Sequence, residues 1–425
     1  MNTLIKKTAE KILKPLTKAV LAKQQPQVIT VTGSVGKTST KQAICSVLAD
    51  KFSVKGGAKN YNNELGVPFA ILGLESPQKS INGWLKLFLK AVKLTLIKDK
   101  NYPEILVLEV GADKPGDLKY LMEMIPKGLL KVAVLTAVAP VHLEFFDSME
   151  NVFQEKITPF FSLAKDGLAV VAADNCDAER IKDTIHCTVI TYGIRERADI
   201  TIKGLKQNQN GLAFQLNNAG QTLDFFLPQG VYFHQVYPLL AAVAVGVSYK
   251  MTLRDISRGL AGYTPPPGRM RRIKGINKSL IIDDTYNSSP ESCKRALEAL
   301  TTIPQAQRKI AVLGDMLELG ETSEEFHKTI GQLSAAIKID YLITYGQMAQ
   351  FIAKGALEKG FNKERVYSFT ELEKITDFLK KTIKPGDILL IKGSQGMRME
   401  KIVKTIMQEP KKAKALLVRQ NQEWL

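Results

Sequence analysis

Residues 29–40 read ITVTGSVGKTST, and this stretch restricts the fold more tightly than any other. Its β-branched residues favour a buried extended strand, and KQAICSVLAD directly after it carries helical periodicity. Between strand and helix stand Gly33 and Gly36, with two residues between them where the standard phosphate-binding loop has four. Glycines let backbone N–H groups turn inward around phosphate oxygens, and the start of a helix adds positive potential. Lys37 can reach a terminal phosphate, and the Thr38 hydroxyl can hold Mg²⁺. Gly33, Ser34, Gly36, Lys37, Thr38 and Ser39 are therefore the candidate nucleotide-binding set, and ATP and Mg²⁺ the candidate cofactors.

The rest of the chain repeats the pattern. EILVLEVGA (104–112), KVAVLTAVA (131–139) and GLAVVAAD (167–174) are apolar runs suited to parallel strands covered on both faces. From about 189 to 228 short alternating runs split by Asn-Gly and Asn-Ala-Gly predict hairpins, and YPLLAAVAVGVSY a helix. GYTPPPGRMRR (262–272) interrupts any helix or central strand and marks a domain boundary. A second α/β alternation follows it. The expectation is an α/β protein with three parts. Residues 1–26 form a basic helical segment broken at Pro15. Residues 27–264 form a central P-loop ATPase domain with a mainly parallel sheet and a basic amphipathic insertion at about 78–103. Residues 265–425 form a C-terminal Rossmann-like domain.

The formal net charge is +17, which suits phosphorylated substrates, nucleic acid or an anionic membrane. With two tryptophans in 425 residues and no aromatic–arginine stripe, the sequence lacks a nucleic-acid-binding signature. The four cysteines are scattered, form no metal-ligand pair, and predict reduced thiols in a cytoplasmic protein. The expectation for oligomeric state is a monomer.

The shortened loop, with NYNNELGVPFAIL (60–72), LEVGADKPGDL (108–118), HLEFFDSMENVFQEK (142–156), GRM (268–270), IIDDTYNSSPESCKRAL (281–297), LGDMLELG (313–320) and KGSQGMRME (392–400), resembles the Mur ligase family in motif and in order. These are ATP-dependent amide ligases of cell-wall synthesis, and the segments look most like the branch that adds D-alanyl-D-alanine. The resemblance runs from about residue 27 to about 407.

It implies a chemistry and a set of roles. ATP converts a carboxylate to an acyl phosphate, and an amine then displaces phosphate; cations must screen two approaching anions. Thr38 and Glu109 become Mg²⁺ ligands, His142 helps hold a second ion, and Lys156 forms a carbamate that acts as a further acidic ligand. A carbamate requires a neutral amine, hence a lysine with a depressed pKa. Lys37, His142, Lys156 and Arg269 are the implied catalytic residues, with Arg269 on the moving phosphoryl group. Asn287 contacts adenine and Asp315 the ribose. Asn60, Asn62 and Asn63 line the carboxylate side, and Lys392 and Ser394 the side of the incoming amine.

The sequence departs from that pattern at Ala137, Pro238 and Gln395, where the family commonly has Asn, Asn and Arg. About 26 residues precede the first strand, fewer than a UDP-gripping domain needs. NGWLKLFLKAVKLTLIKDK (82–100) sets Lys86, Lys90 and Lys93 along one helical face, which suits either packing on the protein or an anionic membrane. The functional expectation is a ligase adding D-alanyl-D-alanine or a similar amine to a muramoyl-peptide carboxylate, with a small-molecule or lipid-linked cell-wall precursor and an amino acid or dipeptide as its partners. Two alternatives stand beside it: a Mur-type ligase acting on a lipid- or polymer-linked carboxylate without UDP, and a nucleotide-binding partner subunit without catalysis.

Overall fold

The computed structural model describes residues 3–420 apart from 58–60, 78–79, 140–142, 196–197, 209–210, 229–234 and 305. The chain divides into two compact units, Met1–Leu205 with Phe214–Phe226 and Gln235–Tyr263, and Lys206–Ala213 with Leu227–His234 and Thr264–Leu425.

The first sheet contains β1 (Gln27–Thr32), β2 (Val54–Gly56), β3 (Ile105–Glu109), β4 (Leu130–Leu135), β5 (Leu168–Ala172), β6 (Thr188–Tyr192), β7 (Ile200–Asn208), β8 (Gly211–Asn218) and β9 (Gln221–Pro228). Their spatial order is β2-β3-β1-β4-β5-β6-β7-β8-β9, and every pairing from β2 to β7 is parallel. β3 and β5 are buried along their whole length, as their uninterrupted apolar sequences require. β8 and β9 are joined by Ala219 and Gly220 alone, both at positive φ (48° and 83°), the backbone of a tight hairpin turn.

Helices α1 (Thr3–Gln24), α2 (Lys37–Leu48), α3 (Gly66–Leu72), α4 (Ile81–Leu96), α5 (Asp117–Met122), α6 (Leu143–Phe146) and α7 (Met149–Ile157) belong to this unit. The break expected at Pro15 does not occur: α1 runs through it with Pro15 exposed. A proline inside a helix removes one hydrogen bond, at a cost of about 3 kcal/mol. Burial of Leu13 before it, and of Val20 and Leu21 after it, holds both halves on one core. The same core takes Leu87, Ala91 and Leu94 of α4, so the basic insertion is packed on the protein along one face.

The second sheet contains β10 (Arg271–Lys274), β11 (Leu280–Asp284), β12 (Arg308–Gly314), β13 (Tyr341–Tyr345), β14 (Val366–Phe369) and β15 (Asp387–Lys392), in the order β10-β11-β15-β12-β13-β14. All pairings are parallel except the edge pair β10–β11. Successive residues serve opposite faces. Ile282, Leu390, Ala311 and Leu342 enter one core; Ile281, Leu389, Val312 and Ile343 enter the other. The loops that matter chemically leave the C-terminal ends of β1, β3 and β4 in one sheet and of β11, β12 and β15 in the other, where open α/β sheets place ligands. Among the described residues no helix is long and apolar enough to cross a membrane.

Candidate functional site

The loop from Gly33 to Gly36 is shaped from behind by the exit of β4. Gly33 has φ 137°, and a Cβ there would overlap the Thr136 hydroxyl and approach the Ala137 backbone to 2.9 Å. Thr136 Oγ1 donates to the Val35 carbonyl at 2.5 Å, and Ser34 N donates to the Ala137 carbonyl at 2.9 Å. Ser34 Oγ lies 3.0 Å from both the carbonyl and the amide of Ala139. Only the backbone of Ala137 takes part in this pinning, so the loop does not depend on an asparagine at that position. Gly36 closes the turn at φ 84° and opens α2. Lys37 Nζ donates to the Gly33 carbonyl at 2.7 Å, which folds the lysine back over the loop. Ser39 is buried in the first turn of α2.

Thr38 Oγ1 donates to Glu109 Oε2 at 2.8 Å, linking α2 to the end of β3. Asn62 Nδ2 approaches the other carboxylate oxygen at 3.4 Å, and the Asn62 carbonyl accepts from Gly111 N at 2.7 Å. Lys41, one helical turn beyond Thr38, pairs with Glu109 Oε2 at 3.7 Å and donates to the Gly57 carbonyl at 2.8 Å. Asn63 holds the start of α3 by accepting from Gly66 N at 2.9 Å. Asn62 and Asn63 line a small cleft with Gly111, Asp113 and Asp117.

Lys156 is 1% exposed at the end of α7. Burial and the positive charge of Lys37 lower its pKa from 10.5 to about 8, so a useful fraction of the amine is neutral near neutral pH. Its neighbour Glu155 faces the other way, accepting from Gly116 N at 2.8 Å and Leu118 N at 2.6 Å at the start of α5. The oxygens of Thr38 and Glu109 are hard donors beside a phosphate-type loop, which fits Mg²⁺, an ion that takes few protein ligands and completes its shell with phosphate and water. Among the described residues no three His, Cys, Asp or Glu side chains gather as a metal cage. Asn60 and His142 lie outside the described residues.

In the second unit the loop after β11 is held by charge. Buried Asp283 accepts from Gly268 N at 3.0 Å and Thr285 Oγ1 at 2.6 Å, and burial raises its pKa to about 6. Asp284 accepts from Met270 N at 3.1 Å and pairs with Lys392 Nζ at 2.6 Å. Lys392 is 2% exposed and also donates to the Asn287 carbonyl at 2.9 Å. Ser394 is likewise buried; its hydroxyl donates to the Ser288 carbonyl at 3.1 Å and accepts from Leu317 N at 2.9 Å. Asp315 is buried, with Oδ1 accepting from Ala349 N at 2.6 Å. Asn287 is exposed, and the Arg269 guanidinium stacks 4.1 Å from the centre of the Tyr286 ring.

Several contributors were not singled out from the sequence. Lys41, Thr136 and Glu155 are three, and the Arg419–Glu400 pair (3.0 Å) is a fourth. Arg419 also donates to the backbone carbonyls of Thr285 and Tyr286. Lys41 was findable, since it shares a helix face with Lys37 and Thr38. Arg419 carries no local signal, because Glu400 is 19 residues away and the two carbonyls it holds are more than 130 residues away in sequence.

Comparison with known proteins agrees with this layout. Residues 31–82 and 87–246 match the Mur ligase middle domain, and residues 268–395 match the Mur ligase glutamate ligase domain. The UDP-N-acetylmuramoyl-tripeptide--D-alanyl-D-alanine ligase of Bacillus subtilis (strain 168) is 32% identical over 398 residues, 94% of this chain and 79% of that protein. The crystal structure of MurF from Acinetobacter baumannii superposes with a TM-score of 0.77 at 25% identity, covering 93% of this chain and 79% of that one. MurF ligase from Thermotoga maritima in complex with ADP gives 0.76 at 26% identity, covering 95% and 84%. A glycine loop pinned behind by β4, a buried Thr38–Glu109 link and these matches across both units lead to one conclusion: the chain belongs to the Mur ligase family of ATP-dependent ligases.

Proposed function

We propose that this protein joins D-alanyl-D-alanine, or a closely similar amine, to the carboxylate of a muramoyl-peptide precursor in peptidoglycan synthesis. The 32% identical relative named for that reaction supports the substrate pair. The observation that carries the mechanism is the Thr38–Glu109 hydrogen bond at the mouth of the glycine loop, with Lys37 and Lys156 electrostatically coupled beside it.

In this proposal the first unit is the ATP-binding domain and the second carries the amine side. The amides of 33–38 cradle the phosphates. Lys37 leaves the Gly33 carbonyl to meet the terminal phosphate. Thr38 and Glu109 would hold Mg²⁺, with Lys156 as a carbamate and His142 near a second ion. Bound there, the metal would neutralise phosphate charge as the carboxylate approaches. Asn62 and Asn63, with Asn60, border the path of that carboxylate. A carboxylate oxygen attacks the γ-phosphorus, the bond to ADP breaks, and an acyl phosphate results. The amine then attacks the acyl carbon and phosphate leaves. Arg269 is assigned to the transferring phosphoryl group, where a planar guanidinium can span two oxygens. Asn287 is assigned to adenine and Asp315 to the ribose. Lys392 and Ser394 shape the amine side through Asp284, Asn287 and Ser288.

Phosphate release tests this directly. It should require ATP, Mg²⁺, a muramoyl-peptide carboxylate and D-alanyl-D-alanine together, with one amide formed per phosphate. Release without the amine or without the carboxylate would sink the ligase assignment. A lipid-linked carboxylate is the second candidate, favoured by the apolar residues that α4 leaves exposed. Screening nucleotide-linked against lipid-linked precursors separates the two.

A further inference from the structure

We infer that α4 is a docking surface for anionic phospholipid, and that the enzyme works seated on such a surface. This is independent of which substrates it joins. α4 is apolar on two faces. Leu87, Ala91 and Leu94 are at most 4% exposed and enter the core. Ile81, Leu85, Leu89, Val92 and Leu96 are 46% to 84% exposed, and Ile97 just beyond is 59% exposed. At 3.6 residues per turn these five occupy a continuous arc of about 80° on the helix. A single exposed leucine needs no explanation; five in one stripe on one helix do.

Charge identifies the occupant. Lys86, Lys90 and Lys93 fall on one flank of the stripe, between it and the buried face. Between Glu75 and Asp99 the sequence has no acidic residue. Helix α1 is tied to the same element through Gln24 Nε2, which donates to the carbonyls of Leu94 and Ile97 at 2.6 and 2.8 Å. It exposes Lys11, Lys18 and Lys23. A second copy of the chain would bring another all-lysine border against this one, and like charges would oppose the contact. An anionic bilayer offers the complementary pair: acyl chains for the leucines and headgroup phosphates for the ammonium groups, which long lysine stems can reach. Sixteen residues at 1.5 Å each give about 24 Å, short of a hydrocarbon core, so α4 is suited to lie in the interface rather than to cross.

Flotation of the full chain tests this. It should rise with vesicles containing phosphatidylglycerol, stay behind with pure phosphatidylcholine, and be released by salt. Two pairs of changes probe the two components. Lys86→Gln with Lys93→Gln should lower partitioning on the order of 20-fold, at about five-fold per lysine. Leu85→Gln with Leu89→Gln should lower it at least ten-fold, with the parent's melting temperature kept because both sites face outward. No flotation of the parent at low salt overturns the proposal, as does equal flotation of the leucine pair. Sedimentation that finds the parent dimeric and the leucine pair monomeric assigns the stripe to a second copy and also overturns it.

Discussion

The two units solve opposite electrostatic problems. Around the glycine loop like charges face each other: Lys37 folds back onto the Gly33 carbonyl, its charge helps to lower the pKa of buried Lys156, and Lys41 pairs with Glu109. Around the loop after β11, acids and bases cancel one another. Asp284 is matched by Lys392 and Glu400 by Arg419 and Arg398. The first cluster is poised to take up a charged ligand; the second fixes a loop so that Asn287 is presented outward. A cluster that neutralises itself holds geometry, whereas one that does not recruits what is missing.

The contrast can be broken at its strongest point first. Lys37→Ala should lower ATP-dependent ligation by about 10³-fold with little change in melting temperature. An equal loss of stability would mean that Lys37 holds the fold instead. Next, Arg419→Ala should cost about 3 kcal/mol in denaturant unfolding, because it leaves Glu400 partly uncompensated at full burial; a loss under about 0.5 kcal/mol would show that Arg398 suffices.

Two titrations sharpen the comparison, and their signs differ. The folded pKa of Lys156, about 8, lies below its unfolded 10.5, so its charged form is penalised by folding. Lys156→Met should therefore be more stable than the parent by about 3 kcal/mol below pH 8, with the gain fading as pH rises toward 10.5. Carbon-13 NMR under labelled CO₂ should show a carbamate signal that the same variant lacks. Asp283 has a folded pKa of about 6 against 3.8 unfolded, so folding favours its protonated form. Its contribution is largest below pH 3.8 and is lost as pH rises through 6, an effect of about 2 to 3 kcal/mol. The Asp283→Asn difference from parent should therefore vary between pH 4 and 6 and flatten above it; a difference constant over that range would contradict the shift.

Local pattern exposed most of the architecture. The apolar runs of β3, β4 and β5 and the triple proline before the second unit are legible because burial on two faces and a missing N–H act on neighbours in sequence. Thr38 and Glu109 were legible as types at strand and helix ends, but their 2.8 Å contact depends on β1 and β3 lying side by side. Pro15 does not break α1 because its buried flanks outweigh the lost hydrogen bond, and those flanks bury against residues distant in sequence. Pro238 behaves as its position allows: it falls in the first turn of the helix Val236–Ser248, where a missing N–H costs nothing. The buried state of Lys392 and Ser394 was not legible, since their partners come from a loop about 105 residues earlier.

The fit between Gly33 and Thr136 has a consequence for how this enzyme can change. One side chain occupies the room the other would need, so the phosphate turn and the exit of β4 behave as a single part. Gly33 is fixed by its φ and by the Ala137 backbone as well as by Thr136, whereas Thr136 can shrink without a clash at Gly33. A laboratory search for altered nucleotide preference that varies Gly33 will sample misshapen loops even with Thr136 trimmed, because the Ala137 backbone and the φ of 137° still exclude a side chain there.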